Sequence, residues 1–502
     1  MRKKLLGLRT LVVMTILVTA GVLTASAAGY TASPPVLASA ATSPFEDCTA
    51  DGGQEGAFSP NSEVEPWVAV NPADPDNIVA SWQQDRWNNG GSRGLVAGIS
   101  ADGGASWTQV AVRGVSTCSG HPFYNRASDP WHSFSPNGSL YLMSLSTSTG
   151  ITAAGFPDSG MLVSKSEDGG FTWSNPITLI ADNGPNILND KNSLTADPND
   201  SNFAYAVWDR LVVGAEAARP IQVFQHAVGY RGPTWFARTT DGGDSWEPAR
   251  MIFDPGGVNQ TLGNLITVLP PSQGGDLLDF FNLIYNFKNA KGVRGYNVAY
   301  IRSTDKGETW SGANIVDKFF RAPVRDPETG APVRTGDINP DVAVDPNNGN
   351  IYLAWQDQRF ANKADIAFTM STDGGTSWSP TIKVNGNSGS AQAFTTSVHV
   401  AADGTVGISF YDFRNDELDD GELSTDLWLI HCHGDCADPG SWMDETRVTP
   451  KSFDMRAAPP AGGFFIGDYI GLSSRGNEFA SLFITSPGDA PSADAFFSLI
   501  GP

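Results

Sequence analysis

The chain has 502 residues and a formal net charge of −22, from 54 acidic against 32 basic side chains. That balance excludes nucleic acid and anionic membrane surfaces as partners, because both call for a basic face. Glycine at 54 and proline at 33, with 14 tryptophans and 27 phenylalanines, suit many tight turns between short strands around a large β core.

The chain begins Met1-Arg2-Lys3-Lys4, continues through an apolar run at 11–18 and reaches Ala25-Ser26-Ala27-Ala28. A basic start, a short apolar run and a small-residue site predict a secretory signal peptide over 1–28, hence an extracellular protein. The run is short for a membrane span, which needs about 20 residues, and no later stretch is apolar enough to cross. Residues 29–44 are mostly Ala, Ser, Thr and Pro and read as a flexible tether. Residues 45–502 then form one domain. An exported chain permits disulfides. Of the three pairings open to four cysteines, Cys432 with Cys436 is the local choice and leaves Cys48 with Cys118. The compact run His431-Cys432-His433-Gly434-Asp435-Cys436 keeps a soft-metal site open as the alternative.

One motif recurs through this domain. Ser371-Thr372-Asp373-Gly374-Gly375-Thr376-Ser377-Trp378 has counterparts at 100–107, 166–173, 239–246 and 303–310, and a degenerate copy at 438–442. Trp107, Trp173, Trp246, Trp310, Trp378 and Trp442 lie 66, 73, 64, 68 and 64 residues apart, a period that marks a repeat architecture. The Asp can accept hydrogen bonds from amides of a tight turn, the glycines allow its backbone, and the Trp opens the next strand with a ring to pack between sheets. The motif resembles the Asp box, or BNR repeat, of the sialidase superfamily. The resemblance covers about residues 60–450 and implies an all-β fold, a closed β-propeller of four-stranded antiparallel blades. It also implies that the boxes lie on the face opposite an active site. Six units carry a box, and a seventh opens near Phe465 and runs out one strand short at Pro502. Seven blades are expected, with six as the alternative, and the segment before Glu65 is expected to supply the missing strand.

The face away from the boxes concentrates charge. The ends of the second strands carry Asp85 and Arg86, Asp209 and Arg210, Asp357 and Arg359, and Asp412 and Arg414. The starts of the first strands carry Glu65, Asp129, Asp190, Asp337, Asp341 and Asp468, with Arg126 and Lys191 nearby. Recurrence in four units fits clamps between neighbouring blades. Convergence of several guanidiniums fits an anionic ligand instead, since their fork matches a carboxylate. Sialidases use an arginine triad for the sugar carboxylate, an aspartic acid as proton donor and a tyrosine nucleophile assisted by a glutamate. Carried over, the resemblance offers Arg86, Arg210, Arg359 and Arg414 for substrate binding and Tyr469, with Tyr411 second, as nucleophile. It offers Asp129 or Asp85 as acid, with Asp468 beside Tyr469. The Arg-Ile-Pro signature of sialidase domains is absent; Asp85-Arg86-Trp87 stands in its place.

The expected function is that of a secreted, carbohydrate-directed propeller, a monomer acting on a glycan or glycoconjugate as an exo-sialidase-type glycoside hydrolase. A non-catalytic glycan- or protein-binding propeller is the alternative, and a polysaccharide lyase is a third reading. No cofactor is required. Residues 415–422 crowd hard oxygen ligands into one loop, so calcium stands beside a plain solvated acidic loop as a reading.

Overall fold

The computed structural model describes residues 29–213, 230–286, 294–488 and 491–502; the expected signal peptide lies outside them. The described residues are almost entirely β, with only short 3-10 turns besides. They form several four- and five-stranded antiparallel sheets, an eight-stranded one, and a small three-stranded one with a parallel pair. The first strands are Phe58–Val70, Arg126–Phe134, Ile187–Ala196, Gln260–Val268, Asp341–Val344, Ala393–Val400 and Gly471–Arg475. Each stands beside the first strand of the next unit, and Gly471–Arg475 stands beside Phe58–Val70.

Burial grades outward along every unit. Second strands such as Ile78–Trp87 and Ile351–Asp357 are buried at every position. A strand sandwiched between two neighbouring sheets has no solvent face, so its sequence is a near-continuous apolar run. The fourth strands form the rim, and Thr108–Ala111 is nowhere fully buried.

The box tryptophans join one unit to the one before it. Trp246 meets Tyr141, Trp310 meets Phe236, Trp378 meets Phe280 and Trp442 meets Phe368. Trp107, in the first unit, makes the same contact with Phe497 of the last, with ring centroids 5.1 Å apart. The second box glycine allows this approach: a Cβ on Gly104, at φ 96°, would lie 2.1 Å from the Phe497 ring. Inside each full box the Asp does what the sequence predicts. Asp373 accepts from Ser371 Oγ at 2.8 Å, from the Ser377 amide at 2.8 Å and from Ser377 Oγ at 2.6 Å.

One boundary differs from expectation. Residues 29–44 are not a tether. Thr31–Ala32 and Val36–Leu37 pair with the last strand, Asp494–Gly501, and Tyr30 is buried against Phe479. Small and β-branched residues suit a closely packed outer strand as well as a linker, which is why composition misled. The missing strand therefore comes from upstream of position 45. The cysteines pair as Cys48–Cys118 and Cys432–Cys436. The first bond ties the N-terminal segment to the loop that leads into the second unit.

Candidate functional site

Five of the first strands are interrupted by a bulge, and the same backbone device sits at each. Register shifts fall at Val64/Trp67, Ser128/Trp131, Asp190/Ser193, Leu262/Leu265 and Phe394/Ser397. The residues within them take left-handed backbone: Glu65 at φ 55°, Asp129 at 52°, Lys191 at 41°, Gly263 at 69° and Thr395 at 47°. Left-handed backbone is costly for residues with a Cβ. A bulge re-aims one side chain out of the pleat, and here it turns charged groups toward the middle of the molecule.

There they line a cavity of about 590 Å³ on the face away from the boxes. Its charged walls are Glu65, Asp129, Asp190, Lys191 and Asp468, with Arg86, Arg321, Arg325, Arg334 and Asp337. A narrower hollow draws residues from six of the first strands, and Ile470 just before the seventh. Trp67 and Trp131 lie in it, stacked at 3.5 Å, with Tyr469 against them. Lys191 borders both spaces, its ammonium 3.7 Å from the Tyr469 ring centroid.

The acids do not share one protonation state. Glu65 is pushed up to about 8 by burial and by the charges of Asp129 and Asp468, with Arg86 and Lys191 opposing. The side-chain amide of Gln83 donates to its Oε2, and Gln83 in turn accepts from Arg86 Nη1 at 2.9 Å. Asp190 is raised to about 7, by burial and then by Asp129. Asp468 goes the other way: burial opposes its charge, but the Arg334 guanidinium prevails and holds the carboxyl below its usual range. Arg321 pairs with Asp337 at 2.8 Å. Such spreading of carboxyl pKa values within one cavity is what acid–base chemistry needs.

Of the residues singled out from the sequence, Arg86, Asp129 and Asp468 meet at this cavity, and Tyr469 lies just beneath it. The other three arginines stand elsewhere. Arg210 grips Asp182 of the preceding unit, with Nε 2.8 Å from Oδ2. Arg359 reaches Asp317 of the preceding unit and Asp357 of its own. Arg414 joins Asp412 and Glu445 and lies 3.9 Å from the Trp428 ring centroid. Arg210 and Arg359 are thus clamps to the preceding unit, while the Arg414 partners all belong to its own unit. Asp85 is not in the cavity either; it accepts from Ser43 Oγ at 2.6 Å and the Asn61 amide at 2.7 Å, anchoring the N-terminal segment. The Tyr469 hydroxyl donates to the Pro130 carbonyl at 3.2 Å, and burial among Glu65, Asp129 and Asp468 drives its pKa well up, the reverse of what a nucleophile needs. Tyr411 is a core residue hydrogen-bonded to Ile484. In the acidic loop, Asp416 and Asp420 accept amides of Ser424 and Glu422 and so shape the turn. Arg126 packs on Trp87 and is committed to Gln54 and Asn89. Sequence reasoning missed Arg321 and Arg334, which arrive on a stretch between the fourth and fifth units that no repeat predicts. The one available signal was its length and its arginines.

Residues 234–415, holding three of the full boxes, match the family model of a BNR repeat-like domain. The boxes at 100–107 and 166–173 continue the same pattern outside the matched stretch. No curated protein matches the chain. Among solved structures, it is similar to the Hadza microbial sialidase Hz136, at 16% identity over 69% of this chain and 63% of that one, with a TM-score of 0.43. It is also similar to Penicillium chrysogenum alpha-L-arabinanase complexed with arabinobiose, at 14% identity over 76% and 94%, TM-score 0.44. A third is Trypanosoma rangeli sialidase in complex with the inhibitor DANA, at 14% over 71% and 54%, TM-score 0.42. The chain thus spans less than two thirds of the length of either sialidase.

Proposed function

We propose that the chain is an exported BNR-repeat protein folded as a closed seven-bladed propeller, and that it hydrolyses glycosidic bonds with the carboxyls of its central cavity. The ring reading is supported by the Trp107–Phe497 contact, which repeats across the chain ends the contact made between consecutive units. Export is supported by the basic and apolar N-terminal sequence together with two disulfides.

The observation that carries the chemistry is the pairing of Glu65 with Asp129 on one cavity wall. Glu65 is held protonated near neutrality, in part by the charge of Asp129. A protonated carboxyl beside an ionised one is the equipment for glycoside hydrolysis: the first protonates the leaving oxygen, the second activates water or attacks the sugar. Glu65 is the proton donor in this scheme, and Asp129 is the group that activates water or attacks the sugar. Asp468, gripped by Arg334, stays charged and faces the cation that develops on the sugar.

A sialoside substrate is favoured by a separate observation, since Arg86, Arg321 and Arg334 all border this cavity. Because Arg334 and Arg321 already hold Asp468 and Asp337, a sugar carboxylate would have to compete with those partners. The neutral-sugar reading therefore comes first.

The test is release of fluorophore from aryl glycosides of sialic acid, arabinofuranose and common hexoses, with and without calcium. Turnover of any of them that Glu65→Gln and Asp129→Asn both lower by about a hundredfold or more supports the scheme, on the scale of general acid–base catalysis. No release by the wild type from the whole panel leaves the non-catalytic glycan- or protein-binding propeller as the better reading.

A further inference from the structure

The stretch between the fourth and fifth units carries an aromatic ring that core packing does not explain. Phe320 is 45% exposed, between buried Phe319 and Arg321, which lines the cavity. Its backbone is fastened on both sides. The amide donates to Asp357 Oδ2 at 3.1 Å, and the carbonyl accepts from the Gln358 amide at 3.0 Å. The Arg359 guanidinium lies over the ring, 5.1 Å from its centroid. Arg359 is itself held by Asp317, by Asp357 at 2.9 Å and by the Lys318 carbonyl. Asp357 is fully buried and also accepts the Trp355 indole N–H at 2.8 Å. Scattered exposed phenyl groups are ordinary on a protein surface. One whose backbone is fastened twice, with a fixed guanidinium against its ring, next in sequence to a residue that lines the cavity, is a preorganised platform.

We propose that Phe320 is the stacking platform of a second sugar subsite, beside the cavity at its Arg321 edge. The proposal rests on the glycan reading above and adds to it that the ligand is an oligosaccharide, not a lone terminal sugar. The matching chemistry is the flat C–H face of a pyranose or furanose ring, which the electron-rich face of a phenyl ring attracts. A platform already immobilised loses little freedom when the sugar arrives. Contacts of this kind, remote from the bond being cleaved, supply binding energy that a truncated substrate forgoes. Arg359 thus supports the ring from behind.

Two sugar series test it by saturation-transfer NMR titration: arabinose with linear arabinobiose and arabinotriose, and N-acetylneuraminic acid with sialyllactose. Wild type, Phe320→Ala and Phe320→Trp are compared, with thermal midpoints as the folding control. In whichever series binds, the longer sugar should bind wild type about tenfold tighter than the single sugar, equivalent to about 1.4 kcal/mol. Phe320→Ala should erase that gain and leave the single sugar within about twofold, while Phe320→Trp keeps the gain, as expected of ring stacking. The proposal is overturned if the alanine variant keeps the gain or if wild type shows none. If wild type binds neither series, the glycan reading itself fails and the platform falls with it. If the single sugar binds and only the chain-length gain is missing, the glycan reading stands without the platform.

Discussion

Arg334 and Asp468 are 134 positions apart and joined through both arms of the guanidinium, with Nε 3.0 Å from Oδ1 and Nη2 on Oδ2. The bond links the inter-unit stretch that carries Arg334 to the start of the last unit, across the wall of the cavity. Removing one side of a buried pair costs about 3–5 kcal/mol. Both side chains retain some exposure, so Arg334→Ala should destabilise by about 2 kcal/mol, between the buried and surface limits. Adding Asp468→Asn should restore part of that loss, the coupling that a double-mutant cycle reads. The sign with pH follows from the depressed carboxyl: its stabilisation is present above the pKa of a free aspartate, about 3.9, and disappears as pH falls through the folded value. The difference between wild type and Arg334→Ala in thermal melts should therefore be full at neutrality and shrink in acid.

Glu65 predicts the opposite pH trend. Its folded pKa of about 8 lies above the ordinary 4.5, so the folded chain binds the extra proton between those values. Stability contributed by this group is present below the ordinary value and is lost as pH rises toward 8, with a slope on the order of 1 kcal/mol per pH unit. Glu65→Gln should flatten that part of the stability profile. It should also remove the alkaline limb of any hydrolytic activity, because the proton donor has gone. A stability profile that the variant leaves unchanged would refute a protonated Glu65.

The two halves of the molecule were unequally legible in the sequence. The turn chemistry of the boxes is local, so Asp373 and its neighbours could be read without knowing what lay across from them. The charged starts of the first strands were also visible, and Glu65-Pro66-Trp67 and Asp129-Pro130-Trp131 even share a pattern. Which of those charges would meet was not visible, because Arg86, Arg210, Arg359 and Arg414 look alike in sequence. Arg210 and Arg359 end in clamps to the preceding unit, Arg414 pairs within its own, and Arg86 alone turns inward, its guanidinium 5.2 Å from the Phe465 ring centroid. Arg334, which holds Asp468 charged, belongs to no repeat at all.

The boxes should prove separable from function. Asp373 serves only its own turn, on the face away from the cavity. Asp373→Ala removes three hydrogen bonds from a largely exposed site, so it should cost about 1 kcal/mol of stability, the net worth of a single bond of this kind. Turnover or glycan binding should remain at the wild-type level. A loss of function at full stability would place a ligand at the boxes instead.

The disulfides differ in the loops they close. Cys48–Cys118 spans 70 positions and Cys432–Cys436 spans 4. On the chain-entropy scale the first is worth about 4 kcal/mol and the second about 2 kcal/mol. Replacing the first pair with serine should lower the unfolding midpoint more. It should also expose the N-terminal strands at residues 31–37 to proteolysis before the rest of the chain, because those strands sit at the end the bond secures. Equal shifts for the two pairs would count against that role.

The choice of nucleophile turns on Tyr469. A phenol that attacks a sugar must give up its proton, and burial among Glu65, Asp129 and Asp468 makes that loss harder. Its hydroxyl is already spent on the Pro130 carbonyl, while its ring carries the Lys191 ammonium and packs against Trp67 and Trp131. Tyr469→Phe keeps the ring and removes only one hydrogen bond, worth about 1 kcal/mol. Under the carboxylate scheme turnover should then fall by no more than about tenfold, on the scale of 1.36 kcal/mol for each factor of ten. Asp129→Asn, which removes the second carboxyl of the scheme, should cost about a hundredfold or more, and it should lower the pKa of Glu65 by taking away one of the groups that raise it. The alkaline limb of the pH–rate profile of residual activity should move toward neutrality in that variant and stay in place in Tyr469→Phe. A tyrosine nucleophile predicts the reverse order, with Tyr469→Phe the more damaged of the two, so the pair of variants measured side by side separates the schemes.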